Sequence, residues 1–257
     1  MTPPAQLLAL ALLLAPPISL AAELSKEAAS EIELGLGRDM LDKGYENWND
    51  AYLSGAHRFG ERHSVFGRLR QIRHYGQHDR EISGGYYYPL GEAWTALIEA
   101  SVSPGHNVLP KNTLLGQLQK SFGDGWGAHA GYRRSWYNTE SASLIMLTGE
   151  RYWSDYRAAY TLYLGKLPGA ATAPSHRGQI NYYYSNRSAF TLGYAKGRQV
   201  ESLGSGLGLL TNDVTSISLS GLHWLSPAWG ISYEAIRERQ GDLYTRKGVR
   251  VGLRHAF

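Results

Sequence analysis

Cysteine is absent from all 257 residues, so neither a disulfide framework nor a thiolate metal site can hold this chain together. Lys and Arg are missing ahead of the apolar run at 7–14 (LLALALLL), which leaves only the amino terminus to supply positive charge there. That run is too short to cross a bilayer as a helix, and no second apolar stretch follows to stop transfer. With small residues at Ser19 and Ala21, it reads as a signal peptide over residues 1–21, cleaved after Ala21 or Ala22. Charge of one sign is lacking as well. The 26 basic and 22 acidic residues are spread along the chain for a formal charge of +4, with no basic stripe, and nucleic acid is excluded as a partner. Gly-x-Ser-x-Gly, His-Glu-x-x-His and carboxylates at metal-binding spacing are also missing, so no catalytic residue, metal or cofactor is expected.

What is present is aromatic and strand-like. The 18 Tyr and 7 Trp each combine an apolar ring with a polar tip, the combination favoured at a membrane–water boundary. Beyond a polar lead-in at 23–30, no helical period persists. The chain instead breaks into pieces of about ten residues with period-two alternation, the signature of a transmembrane barrel. Fourteen are predicted: 31–38, 49–58, 63–74, 79–88, 93–102, 113–121, 126–136, 141–152, 156–166, 176–185, 188–198, 213–223, 229–238 and 248–257. Twelve or sixteen strands are the alternative counts, and the whole of 22–257 forms one barrel domain.

The alternation assigns faces. In 93–102, Trp94, Ala96, Ile98, Ala100 and Val102 oppose Thr95, Glu99 and Ser101. In the last piece, Val249, Val251, Leu253 and Phe257 oppose Arg250 and Arg254. A charge facing lipid at mid-bilayer costs about 2–4 kcal/mol, so the charged face must look inward. Two pieces are weak in phase: the sixth, with Lys120 on its apolar face, and the eighth, where both faces of 143–152 are apolar. Junctions alternate between short (59–62, 89–92, 122–125, 154–155, 186–187, 225–228) and longer (39–48, 103–112, 167–175, 199–212, 239–247), with 75–78 and 137–140 as short exceptions. This is the asymmetry of periplasmic turns and extracellular loops. Trp94, Trp126, Trp153, Trp224 and Trp229 border the short turns while Trp48 and Trp136 border the loops, which reads as two aromatic girdles.

The inward phase nominates Arg68, Arg70, Glu99, Arg133, Arg157, Gln179, Asn181, Glu234, Arg250 and Arg254 as lumen-lining, either a mutual ion-pair network or the wall of a pore or sugar-binding channel. Their signs are too balanced to predict ion selectivity. His57, His223 and His255 fall on the outward phase near the short-turn end, close in sequence to Ser220 and Ser226, and read as girdle residues or as an interfacial hydrolase.

The terminal GVRVGLRHAF, with Val249, Val251 and Leu253 alternating before Phe257, resembles the strand by which the bacterial barrel-assembly machinery recognises its substrates. His255 departs mildly from that pattern. The order of segments over about Glu31 to Phe257 resembles the YaiO family of outer-membrane β-barrel proteins. It is carried by an aromatic strand entering Pro-Leu-Gly at 86–91, Ser103-Pro104 followed by Leu109-Pro110-Lys111, residues 122–126 entering Gly131-Tyr132-Arg133, and Ser175-His176 before a Tyr-rich strand. The resemblance implies an outer-membrane location in a Gram-negative cell, and a contextual link of some members to surface polysaccharide. It transfers no catalytic residue. The expected function is a non-enzymatic channel or outer-membrane port, with membrane lipid, the barrel-assembly machinery and a polysaccharide or small solute as partners. The alternatives are an interfacial lipid- or glycan-modifying enzyme and an adhesive barrel acting through loops 39–48 and 199–212.

Overall fold

A strand that crosses lipid must find all its backbone partners in its neighbours, because the hydrocarbon offers none. The computed structural model describes residues 29–74, 76–138, 140–185, 187–202 and 209–257, so the expected signal peptide at 1–21 lies outside the described residues. Five strands open the fold: β1 (Ser30–Leu41), β2 (Trp48–Gly60), β3 (His63–His74), β4 (Gln77–Pro89) and β5 (Trp94–Val102). Next come β6 (Asn112–Gly123), β7 (Trp126–Trp136), β8 (Ser141–Trp153), β9 (Tyr156–Lys166) and β10 (Ala173–Tyr184). β11 (Ser188–Ser202), β12 (Leu209–Trp224), β13 (Trp229–Gln240) and β14 (Tyr244–Ala256) complete the count of 14. Each strand is antiparallel to the next, and β1 pairs with β14 from Glu31 opposite Ala256 to Leu41 opposite Arg246. The sheet is therefore closed, with no edge.

Its faces are inverted relative to a water-soluble barrel. On β1, Leu34 is 62% exposed while its neighbour Glu33 is 4% exposed. Val249, Val251, Leu253 and Phe257 likewise stand outward, whereas Arg254 between them is 2% exposed. Apolar side chains outside and charges inside form a stable arrangement only where the surroundings are themselves apolar.

Four expectations need correction. Trp48 and Trp224 are not girdle residues. Trp48 shares the inward phase of Asp50 and Ser54, and is buried against His74 at a ring separation of 4.3 Å. Trp224 lies inward beneath the guanidinium of Arg187, 3.5 Å from its ring centroid. The junction at 239–247 is no long loop, because β13 and β14 pair until Gln240 faces Tyr244 and leave only residues 241–243 to turn. At 199–212 the hairpin likewise continues until Ser202 faces Leu209, and residues 203–208 lie outside the described ones. In the β13–β14 hairpin the outward phase carries Arg237, Arg239 and Lys247 beyond the apolar row, although the hydrogen-bond ladder goes on.

The two ambiguous strands are resolved by packing. Lys120 does point outward, but its ammonium lies over the rings of Trp94 and Phe122 at 4.9 and 5.1 Å, at the boundary rather than in the hydrocarbon. On β8 the outward Ile145 and Leu147 meet lipid, while Leu144 and Met146 turn inward. Met146 joins Phe66, Tyr87, Leu97 and Leu115 in an apolar cluster inside the barrel. The tight turn between β6 and β7 rests on Asp124 and Gly125, both at positive φ (48° and 77°), the geometry of a primed two-residue hairpin.

Candidate functional site

The lumen is built from side chains that alternate inward, and its wall divides into three regions. On β14, Arg246, Arg250 and Arg254 recur every fourth residue and so share one face. Carboxylates from both neighbouring strands interleave with them. Arg254 donates to Glu33 at 2.7 Å and to Glu31 at 3.2 Å. Arg250 donates to Asp39 at 3.2 Å and to Glu234 at 3.3 Å, and Arg246 to Glu238 at 3.2 Å. Glu33 also accepts from Tyr52 at 2.5 Å and from Ser232 at 3.0 Å. Tyr52 reaches it only because Gly35 has no side chain, since the ring lies 2.2 Å from where a Cβ would stand. Charges removed from water require this degree of mutual satisfaction.

Across the barrel, Glu150 accepts from Arg157 at 2.7 Å and meets His129 at 2.9 Å. Arg157 continues to Asn181 at 3.1 Å, and Asn181 donates to Thr191 at 2.5 Å. Gln179 approaches Asn181 at 3.5 Å and Gln117 approaches His129 at 3.3 Å. Arg70 is paired with Asp50. Arg68 differs from these cations: its guanidinium rests 4.8 Å above the Tyr52 ring, with no carboxylate in ion-pair contact among the described residues.

Between these walls lies a cavity of about 670 Å³. Arg68, Arg70, Arg157, Gln179, Asn181, Glu234, Arg250 and Arg254 all line it, and so do Glu61 and Arg62 of the β2–β3 turn. Because those turn residues are exposed, the cavity is entered from the short-turn end. Glu99 and Arg133 also turn inward but stand outside the cavity wall, toward the loop end.

The loop end is packed. Leu41, Trp48 and Tyr244 form a buried cluster, with Arg246 5.4 Å over the Trp48 ring. Asp79 faces inward from β4 and collects the backbone amides of Asn107, Val108 and Leu109 at 3.0, 2.7 and 2.8 Å. This holds the β5–β6 junction to the barrel mouth and buries Leu109. In the β7–β8 junction Tyr137 packs on Ala142, Leu167 and Ala173. Burial raises the pKa of its hydroxyl above the ordinary tyrosine range, partly offset by the field of Arg133.

Residues 29–201 match the family model described as the YaiO membrane beta barrel domain. The chain belongs to the YaiO family of membrane β-barrels. The match ends within β11, so β12 to β14 are assigned to this barrel by the closed sheet and not by the family model. No curated protein matches the sequence. Among solved structures, a loop L8 deletion mutant of OmpT from Vibrio cholerae is similar at TM-score 0.49 and 12% identity, covering 88% of this chain and 98% of that one. An anion-selective porin from Comamonas acidovorans gives 0.49 and 11%, covering 89% and 98%. The translocator domain of the autotransporter NalP from Neisseria meningitidis gives 0.48 and 12%, covering 89% and 88%.

Several charged residues of the YaiO barrel's lumen escaped sequence reasoning. Asp39 and Arg246 sit in segments read as loops, although the inward phase of β1 and β14 runs straight through both. Asp50, Glu150 and Glu238 lie within predicted strands, and extending the alternation by one residue pair would have found them.

Among the described residues, none of His57, His223 and His255 contacts both a serine and a carboxylate. His57 approaches Ser30 at 2.9 Å and the edge of the Phe59 ring, with no carboxylate in contact among the described residues. His223 meets the Tyr184 hydroxyl at 3.1 Å rather than a serine. Ser226 is engaged by the amide of Trp229, and Ser220 faces the lumen. His255 packs between Trp229 and Phe257. The YaiO lumen thus presents arginine and amide donors together with carboxylate acceptors around one cavity.

Proposed function

We propose that this YaiO barrel is a non-enzymatic port of the outer membrane whose lumen takes polyhydroxylated, carboxylate-bearing solutes of the acidic-saccharide kind. One observation supports the reading: the cavity of about 670 Å³ is entered at the short-turn end, and its wall includes a cation, Arg68, that makes no ion-pair contact with a carboxylate among the described residues. At ~30 Å³ per water, that volume has room for about twenty waters. A guanidinium seated on an aromatic ring suits a carboxylate, and the amides of Gln117, Gln179 and Asn181 suit hydroxyls.

In this reading the short turns lie in the periplasm and the signal peptide at 1–21 directs export. The terminal row of Val249, Val251, Leu253 and Phe257 engages the barrel-assembly machinery. The junction held by Asp79 is the outer door, so passage requires its displacement.

Single-channel current through the refolded full chain, under a salt gradient, tests the proposal. The expected result is discrete steps with anion preference, reduced by Arg68→Gln and blocked by oligouronates, with longer openings in Asp79→Ala. A folded barrel silent in both the unaltered chain and Asp79→Ala overturns it.

A further inference from the structure

The net charge of +4 conceals a separation that appears only when strand phases are assembled. The carboxylates of Glu31, Glu33, Asp39, Asp50, Glu150 and Glu238 are buried in the lumen beside arginines. On the outward phase the balance is lost. Among the described strand residues, Asp213 is the one acidic side chain facing out, and Arg198 already lies 3.7 Å from it.

The outward cations have a definite height. On β1 the exposed row Ile32, Leu34, Leu36 is followed by Arg38. On β14 the row Leu253, Val251, Val249 is followed by Lys247, on β13 Arg237 follows Ala235, and on β11 Lys196 follows Leu192 and Tyr194. Each strand thus ends its lipid-facing run, at the loop end, in an exposed cation. The short-turn end is different: its outward row is aromatic, and Arg151 lies 4.9 Å over the Trp126 ring.

Arg237 and Lys247 are direct cross-strand partners on this outer face, and Lys247 is in turn opposite Met40 of β1. Like charges so placed repel. Arg38, Lys196 and Arg237 have no hydrogen-bond or ion-pair partner among the described residues, and Lys247 makes no such contact either, although the exposed turn carboxylate of Asp42 feels its charge. Such an arc is stable against an anionic surface at its own height, where the lipid headgroups lie.

We propose that the outward face of β11, β13, β14 and β1, at their loop ends, is a docking surface for the phosphate-bearing headgroup of an anionic glycolipid in the leaflet it faces. The surface is independent of the lumen, so its fate does not depend on whether the barrel conducts.

The test uses the full chain refolded into phosphatidylcholine vesicles, with and without lipid A, a glycolipid carrying two phosphates. The readout is the temperature at which the heat-modifiable gel shift is lost. Lipid A is expected to raise that temperature for the unaltered chain. The combined variant Arg38→Gln, Lys196→Gln, Arg237→Gln, Lys247→Gln is expected to lose the rise while melting no lower in phosphatidylcholine alone. Lys120→Gln with Arg151→Gln at the other rim is expected to keep it. Retention of the rise in the fourfold variant overturns the proposal, as does an equal rise from inorganic phosphate added to phosphatidylcholine vesicles. Should the fourfold variant not fold, salt serves instead. Taking the unaltered chain from 0.1 to 1 M shortens the screening length from about 10 to about 3 Å and should abolish the rise, and persistence of the rise overturns the proposal.

Discussion

The carboxylate of Asp79 on β4 receives the backbone amide of Leu109 at 2.8 Å, across a separation of 30 residues. Asp79 points into the barrel, so the segment that reaches it is drawn over the mouth rather than out into solvent. The apolar Leu109 side chain is buried by the same contact, and the β5–β6 junction becomes part of the lumen's ceiling.

Replacing Asp79 by Ala strips the amides of residues 107, 108 and 109 of their acceptor. Hydrogen bonds to a charged group contribute about 1.5–3 kcal/mol each, though not additively. Hydrogen exchange at those three amides is therefore expected to accelerate at least tenfold, with little change in the β1–β14 seam. Unaltered protection would show that the junction is held by other contacts.

Arg157 is fixed by the chemistry of its partner Glu150, whose carboxylate also meets His129. Arg157→Met leaves a buried carboxylate without its main counter-charge, and is expected to cost about 3–5 kcal/mol in urea unfolding of the refolded barrel. Adding Glu150→Gln to that variant removes the orphaned charge and should recover most of the loss. A double variant no better than the single one would mean that the pair does not act as a unit.

Gly125 holds φ at 77°, and a Cβ there would stand 2.2 Å from the Tyr152 carbonyl oxygen. Gly125→Ala is expected to destabilise the β6–β7 hairpin by about 1–3 kcal/mol through strain and contact together. Gly116, with nothing within 4 Å of its Cβ position, is the matched control, and its Ala variant should be near neutral. Equal unfolding midpoints for the two variants would refute the argument.

Phe257 is 64% exposed at the end of the outward row of β14, and Phe257 pairs its backbone with Ser30. Its side chain holds nothing inside the barrel. Phe257→Ala should refold in detergent with unchanged yield yet accumulate poorly as folded barrel in cells, as expected if the assembly machinery reads this residue. Equal yields in both settings would remove the assembly role.

Much of this fold was legible because a lipid-facing strand must alternate, and alternation needs no knowledge of its neighbours. All 14 strands and the inward phase of Arg68, Arg157, Arg250 and Arg254 follow from it. The signal weakens where lipid ends, which is why Asp39 and Arg246 were read as loop residues and the β13–β14 turn was overestimated. Trp48 and Trp224 show the opposite failure: proximity to a strand end suggested a girdle, whereas phase put both inside.

The sequence by itself determined a closed antiparallel barrel, its two faces and the residues that point inward, because these depend on the period of one strand at a time. Tertiary structure alone decided which charges cancel. The β1–β14 seam joins residues over 200 positions apart, such as Glu33 and Arg254, and no local pattern announces that pairing. The same assembly leaves Arg68 without an ion-pair contact among the described residues and gathers Arg38, Lys196, Arg237 and Lys247 outside, since pairing depends on distance in space and not on order along the chain.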